Sequence, residues 1–447
     1  MSMYFTIAAR NLLQSGRRTF MLGLALTMVT MLLMLLLSLS TGVNKNLVEA
    51  ATTLSAGHIN VSGFFKTTPA AAAPIVTDAP RVRKLVEENT PGLKHILDRQ
   101  RGWGKVVSET STIQSALIGV DLGEEARLLE TLILAEQSEY IEGGKSEVLG
   151  NLDNLNRPNG AVLFVNQAKR LGVDVGDQLT LRIETMRGMT NTMDVEVVAV
   201  ARDVGLLSAW RVFLRKQSLA GLYNMRPDTT GAIQVYLEDI EQASNVREHL
   251  HGILEKEGFA MMDHEPQPFF MKFQRVSGED WTGQKMDLTV WRDEVSILTW
   301  VVTALDTVSF ILISILVVII AAGIANTMWI AVRERTNEIG TMRAIGMHRS
   351  RVGAVFLLEA VILGLAATTL GALMGAGIAL ALDAAAIEVE IQAVQTILLS
   401  DKLRLVVEPG HIIRSILTFT LITGLAAMWP SYKASRMQPV TAIHKIG

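Results

Sequence analysis

The chain has 447 residues, 49% hydrophobic and 19% charged, with a mean hydropathy of +0.31. It is too apolar for an ordinary soluble enzyme and too charged to lie wholly within a membrane. There is no cysteine, which excludes structural disulfides and cysteine-ligated metal sites, and the formal charge of −3 is distributed unevenly. Residues 1–18 are basic and amphipathic: Tyr4, Phe5, Ile7, Ala8, Leu12 and Leu13 can share an apolar side, leaving Arg10, Arg17 and Arg18 for lipid headgroups. They read as a helix on the cytoplasmic membrane surface, or equally as the charged flank of the span that follows.

Residues 19–44 carry no charge until Lys45 and exceed the ~20 residues that cross a bilayer. The run is too long for a signal-peptide core and no A-x-A site closes it, so it reads as a retained first span. Residues 45–290 are soluble in character. HINVSGF near residue 60, AVLFV at 161–165, LTLRI at 179–183, DVEVVAVA at 194–201 and AIQVYL at 232–237 read as strands, and residues 240–254 as a helix. This is an α+β domain large enough to bury a core.

From Lys285 the pattern reads as helical and increasingly apolar through residue 332. As one helix it would be roughly 70 Å long against a hydrocarbon core of ~30 Å. Its charges (Asp287, Arg292, Asp293, Glu294, Asp306) fall in the first half, so a stalk over the outer surface leads into the second span, within residues 291–332.

Residues 333–351, RERTNEIGTMRAIGMHRSR, form a basic loop between apolar runs. As a short helix it would group Ile339, Met342 and Ile345 on one face. Gly340 and Gly346 would let another surface approach the backbone. A bland reading makes the loop only a topology signal. The order of residues says more: ERTNEIGTMRAIG resembles the cytoplasmic loop after the second membrane helix in FtsX/MacB/LolC-type permeases, the membrane subunits of type VII, mechanotransmission-type ABC transporters. The pattern is filled by Glu334, Arg335, Thr336, Glu338, Ile339, Gly340, Arg343, Ala344, Ile345 and Gly346, with Met342 between them. The resemblance implies that these residues form a coupling helix that docks on an ATPase subunit.

Other stretches are similar to the same family. AARNLLQSGRRTF resembles its N-terminal region, LFVNQAKRLGVDVGDQLTL and AIQVYLEDIEQASNVREHL stretches of the MacB/LolC outer domain, and PSYKASRMQPVTAIHKIG its C-terminal pattern. In the family one subdomain is inserted in another, which here would fall near residues 115–230. Residues 352–382 and 411–432 read as the third and fourth spans. Gly371 and Gly375 form G-x-x-x-G, suited to close helix packing within the subunit or across a dimer. Glu359, an acid inside the third span, is expected to pair with a nearby arginine rather than act in a pathway.

The loop 333–351 has five arginines against Glu334 and Glu338, and the flanks at 1–18 and 433–447 are basic. The loop 383–410 has Lys402 and Arg404 against Asp383, Glu388, Glu390, Asp401 and Glu408. Both termini and the central loop are therefore expected in the cytoplasm, with residues 45–290 and 383–410 in the periplasm. The outward part is acidic, which excludes nucleic-acid binding. No P-loop is complete: Gly144-Lys145-Ser146 would need glycine where Glu139 stands. No H-E-x-x-H or G-x-S-x-G occurs and the eight histidines are scattered, so no catalytic or metal-binding residue is assigned.

The expectation is thus a membrane protein with four transmembrane α-helices and a large α+β extracytoplasmic domain between the first and second helices. The resemblance implies a multi-pass permease subunit of the bacterial inner membrane, not itself an enzyme and holding no cofactor. ATP-Mg would be hydrolysed by a separate P-loop ATPase in two copies. A second permease subunit, a periplasmic carrier or adaptor and membrane lipid complete the expected partners. A lipoprotein or similar amphipath is the preferred cargo. The alternatives are an FtsX-like mechanotransducer acting on a periplasmic partner without transport, and MacB-like efflux of a small molecule or peptide through an adaptor.

Overall fold

A computed structural model describes residues 2–14, 16–69, 72–185, 189–389, 394, 398, 400 and 402–437. The expected C-terminal pattern lies outside them from residue 438 onward. The chain divides into two compact units.

The first unit comprises residues 1–44, 302–388 and 402–447. It contains α1 (Ser2–Gln14) and the N-terminal part of α2 (Gly16–Ala51). Among the described residues, four helical segments are long and apolar enough to cross a membrane: Thr19–Ala56, Asp306–Glu334, Arg349–Ala384 and Pro409–Ser435. A mixed-sheet domain falls between the first and second of them in the chain. Close packing of the spans depends on small residues. A Cβ at Gly375 would come 2.8 Å from the Met31 carbonyl oxygen, and one at Gly371 would meet the Thr27 carbonyl at still closer range. Thr27 also donates its hydroxyl to the Ala367 carbonyl at 3.1 Å. The G-x-x-x-G pair is therefore used within the subunit, against the first span. Gly364 likewise faces Thr423 of the fourth span.

The second unit, residues 45–301 and 389–401, has ten strands among its described residues. They are β1 (Ile59–Lys66), β2 (Ala72–Ala73), β3 (Leu93–Val107), β4 (Thr112–Val120), β5 (Gly160–Phe164), β6 (Gln178–Glu184), β7 (Thr190–Ala201), β8 (Arg211–Arg215), β9 (Ala232–Leu237) and β10 (Gly283–Val290). Its helices are α3 (Ala79–Asn89), α4 (Ala126–Thr131), α5 (Gln137–Tyr140), α6 (Val165–Leu171), α7 (Gly205–Ser208), α8 (Lys216–Leu222), α9 (Ala243–Lys256), α10 (Phe269–Gly278) and α11 (Trp291–Glu294).

The fifteen residues of β3 serve two halves. Residues 93–99 pair with β9, giving the antiparallel order β10–β1–β9–β3. Beyond residue 100 the same strand pairs with β4 and β6, and the path β3–β4–β8–β5–β7–β6 returns to β3 as a closed cycle. The cycle encloses its own apolar core, including Val106, Leu117, Leu163, Leu181 and Val212. A second core lies where Ile59, Val61, Ile233, Val235, Leu288 and Val290 meet Val82 and Val86 of α3 and Leu250 and Leu254 of α9. The Gly176–Asp177 turn has a left-handed glycine (φ +98°), and the Asp177 carboxylate accepts from the Asp174 amide at 2.7 Å.

Two expectations need correction. Residues 285–290 are not helical: they are the inner part of β10, paired antiparallel with β1 from Ile59↔Val290 to Phe64↔Lys285. The long helix, α12, starts at Ser296 and ends at Glu334, so at ~1.5 Å per residue it spans about 58 Å rather than 70 Å. The stretch looked helical because charged Lys285 and Asp287 interrupt the apolar pattern. In the fold Asp287 is buried and paired, as described below. Within α1, Ala8 is buried, and Phe5 and Leu13 are 56% and 83% exposed, which leaves them open to lipid.

Candidate functional site

The central basic loop folds as α13 (Thr336–Ala344), joining α12 to α14 (Arg349–Ala384). The last membrane helix, α15, is Pro409–Ser435. The helix is interrupted at Arg335, which sits between α12 and α13 with non-helical backbone angles. The Thr336 hydroxyl donates to the carbonyls of Val332 and Arg333, covering acceptors that the end of α12 would otherwise leave open. The C-terminus of α13 closes in a Schellman motif. Gly346, in the left-handed region at φ +98°, donates to the Arg343 carbonyl, and Met347 donates to that of Met342. The Arg343 guanidinium then reaches the Met347 carbonyl at 3.1 Å.

Burial divides the candidate residues into two groups. Ile339 and Gly340 are buried, and Met342 packs half-buried against the same core, which includes Val332, Val352 and Phe356. Arg335, Thr336 and Arg343 are half-buried and engaged as described. Glu334, Glu338, Ala344, Ile345 and Gly346 are exposed, together with Asn337 and Thr341. Ile345 therefore does not share the buried face with Ile339 and Met342. It lies just past the helix end and is 82% exposed.

Arg335 is the pivot. Its Nη1 lies 2.9 Å from Oε1 of Glu359 on α14, and its Nη2 donates to the Asn11 carbonyl of α1 at 3.0 Å. The Asn11 side-chain amide in turn donates to Glu359. Three helices are joined at one carboxylate, and the arginine expected beside Glu359 comes from the loop motif itself. Nearby, Trp329 and Trp429 meet edge to face at 5.3 Å, with Lys433 Nζ over both rings.

The second unit holds a feature that sequence reasoning missed. Alternation along β1, β3, β9 and β10 sends Asn60, Ser62, Arg99, Arg101, Gln234, Asp287 and Thr289 to the face opposite the apolar core, and that face is buried too. Arg99 pairs with Glu125 at 2.6 Å and donates to the Thr53 carbonyl. Burial works against the Arg99 charge, but Glu125 overcomes it and raises its pKa. Lys272 of α10 holds Asp287 at 2.8 Å. Glu294 accepts from Thr289, and Arg101 donates to Asn60 at 2.6 Å. Burial raises the carboxyls of Asp287 and Glu294, lowers Arg101, and lowers Arg211 to about 10. The available signal was the Arg-Gln-Arg run inside a stretch long enough for a strand. Among the described residues no cluster of histidine and acidic side chains could hold a metal ion.

Residues 310–439 match the family described as FtsX-like permease C-terminal. Over 259 residues, 57% of this chain, the sequence is 30% identical to the macrolide export ATP-binding/permease protein MacB of Agrobacterium fabrum. Over 293 residues it is 21% identical to the lipoprotein-releasing system transmembrane protein LolC of Haemophilus influenzae. The matches span 34% of the first relative and 62% of the second, less than two thirds of either. Among solved structures, the periplasmic region of MacB from Actinobacillus actinomycetemcomitans aligns with 46% of this chain and 86% of its own, at TM-score 0.29 and 12% identity. The extracellular domain of the noncanonic ABC-type transporter YknZ aligns with 44% and 94%, at TM-score 0.28 and 11% identity. Neither superposition is close enough to carry a structural argument.

Proposed function

We propose, from the match of residues 310–439 to the FtsX-like permease C-terminal family, that this chain is the transmembrane subunit of a MacB/LolC-type ABC transporter. A separate cytoplasmic ATPase supplies the energy, and α13 receives it. The observation that carries this reading is the split character of α13. One side is fixed into the membrane unit by Ile339, Gly340 and the Arg335–Glu359 pair, while Glu338, Thr341, Ala344 and Ile345 are left exposed on the other.

A helix that only marked topology would need neither the Schellman cap nor a three-helix anchor. Fixed in this way, α13 cannot rock without moving α1, α12 and α14, so a push on its exposed side is passed to the membrane helices rather than absorbed locally. An exposed Ile345 and, two turns earlier, an exposed acidic Glu338 suit docking on a protein surface with an apolar pocket and a basic rim.

The charge asymmetry of the loops supports α13 and both termini on the cytoplasmic side of a bacterial inner membrane, with residues 45–290 in the periplasm. The Trp329–Trp429–Lys433 cluster near the same helix ends is of the kind found at headgroup level. Two ATPases and a second permease subunit complete the assembly. The preferred cargo is a lipoprotein or another amphipath presented from the outer leaflet.

The test is purification from native membranes in mild detergent, with identification of what accompanies the protein. Recovery of a P-loop ATPase that is lost on Glu338→Lys supports the reading. Its absence from the wild-type preparation under several mild conditions would overturn it. If the ATPase is present and reconstituted vesicles release no lipoprotein to a soluble carrier, the cargo assignment falls and a purely mechanical role remains.

A further inference from the structure

The second unit contains a cavity of about 560 Å³ beside the buried polar face. One wall is α10, contributing Phe269, Phe270 and Phe273; the other is β3, contributing Arg101 and Trp103, with Tyr223 behind. The aromatic groups are held in place. Trp103 stacks on Phe270 at 6.4 Å, Phe269 meets Phe270 edge-on at 5.9 Å, and the Tyr223 hydroxyl bridges the Trp103 amide and carbonyl, both at 2.9 Å. Yet Trp103, Phe270 and Phe273 remain 44%, 38% and 40% exposed. The space they enclose matches the volume and mainly apolar lining of small-molecule sites.

Arg101 adds a charge to this apolar space. It is 3% exposed, its guanidinium lies 4.8 Å from the Phe269 ring centre, and its Nη1 has no hydrogen-bond partner among the described residues. Among its buried neighbours, Arg99 is matched by Glu125 and Lys272 by Asp287, while Arg101 donates only to the neutral Asn60 side chain. Glu184, the acidic residue on the cavity wall, is exposed. A buried guanidinium with an open donor at the edge of an apolar cavity is suited to an anion.

We infer that this cavity is a binding site for an anionic amphipath, with its apolar chain among Trp103, Phe270 and Phe273 and its acidic head directed to Arg101. The site takes this chemistry whether the head is a carboxylate or a phosphate ester. The inference rests on the transporter reading only for the ligand's role as cargo.

The test uses the full-length protein in nanodiscs with a diazirine-bearing tetradecanoate, photolysis and peptide mapping. Adducts are expected on the peptides that carry Trp103 and Phe270–Phe273. Unlabelled tetradecanoate and tetradecyl phosphate should displace them, and their relative potency identifies the head; tetradecyltrimethylammonium should not. Phe270→Asp, at an exposed position, should cut labelling there by about tenfold, and Arg101→Gln should lower the preference for acid over neutral methyl ester by about tenfold. Continued labelling of Arg101→Gln by the ester would show that the pocket is still folded. Adducts confined to the membrane helices, or equal displacement by the ammonium compound, would overturn the site. Labelling needs no ATPase, so an intact site in a preparation that yields none would remove the transporter reading and leave this one standing.

Discussion

Arg335, at the entrance to α13, and Glu359, one-third of the way along α14, form an ion pair at 2.9 Å with side chains only 12% and 5% exposed. A pair of this kind is costly to break because the surviving partner keeps its charge in a place that cannot solvate it. Arg335→Met and Glu359→Leu alone should each destabilise the protein by about 3 kcal/mol, while the double variant recovers most of that loss. Thermal unfolding in detergent measures the cycle. Additive losses would mean that the pair contributes no coupling.

The exposed side of α13 should behave differently. Glu338→Lys and Ile345→Asp remove no buried contact and are expected to change thermal stability by less than about 0.5 kcal/mol. ATPase turnover stimulated by the permease should nevertheless fall sharply in both. Measuring stability and turnover on the same preparations separates docking from folding, and unchanged turnover would leave the helix without a coupling role.

Gly371 tests the use of the small-residue stripe. A side chain there would collide with the Thr27 backbone carbonyl, which has no flexible end to move aside. Gly371→Leu should push the first and third spans apart, lower the melting temperature by several degrees and leave the oligomeric state unchanged. A change in oligomer size without loss of monomer stability would instead assign the stripe to a subunit interface.

His58 gives a pH dependence with a definite sign. It is buried, accepts from the Leu237 amide through Nδ1, and lies near Arg127, His95 and Lys94. Burial, reinforced by Arg127, lowers its pKa from 6.5 to about 4. Between those values the unfolded chain binds a proton that the folded chain does not. Stability should therefore be complete above pH 6.5 and fall toward pH 4, by up to roughly 3 kcal/mol from this group. His58→Gln should flatten that part of the curve, read as melting temperature against pH. An equally steep fall in the variant would point to other groups.

The membrane helices and α13 were legible because their signals are local: uninterrupted apolar runs, and a charged motif between two of them. Strands β1, β5, β6, β7 and β9 were legible for the same reason. Strands β3 and β10 were not, because Arg99, Arg101, Lys285 and Asp287 look like surface residues in a linear reading. Their partners, Glu125 for Arg99 and Lys272 for Asp287, arrive from other elements, so burial of these charges depends on tertiary structure. At the candidate site the motif was visible but its division of labour was not. Only the fold distinguishes Ile339, which is wholly buried, from Ile345, which is 82% exposed.

The place of β1 also sets an order of assembly. Its residues 59–62 are flanked by β9, whose pairing begins at Ala232, and by β10, whose pairing ends at Val290. As the chain is synthesised from its N-terminus, β1 emerges directly after the first membrane helix with neither neighbour yet made. One edge must wait unpaired until β9 is made, about 170 residues later, and the other until β10 follows. Contacts this distant in sequence form slowly, and an unpaired apolar strand is prone to misassociation meanwhile. Biogenesis of this protein therefore depends on keeping one early strand shielded until its late partners arrive.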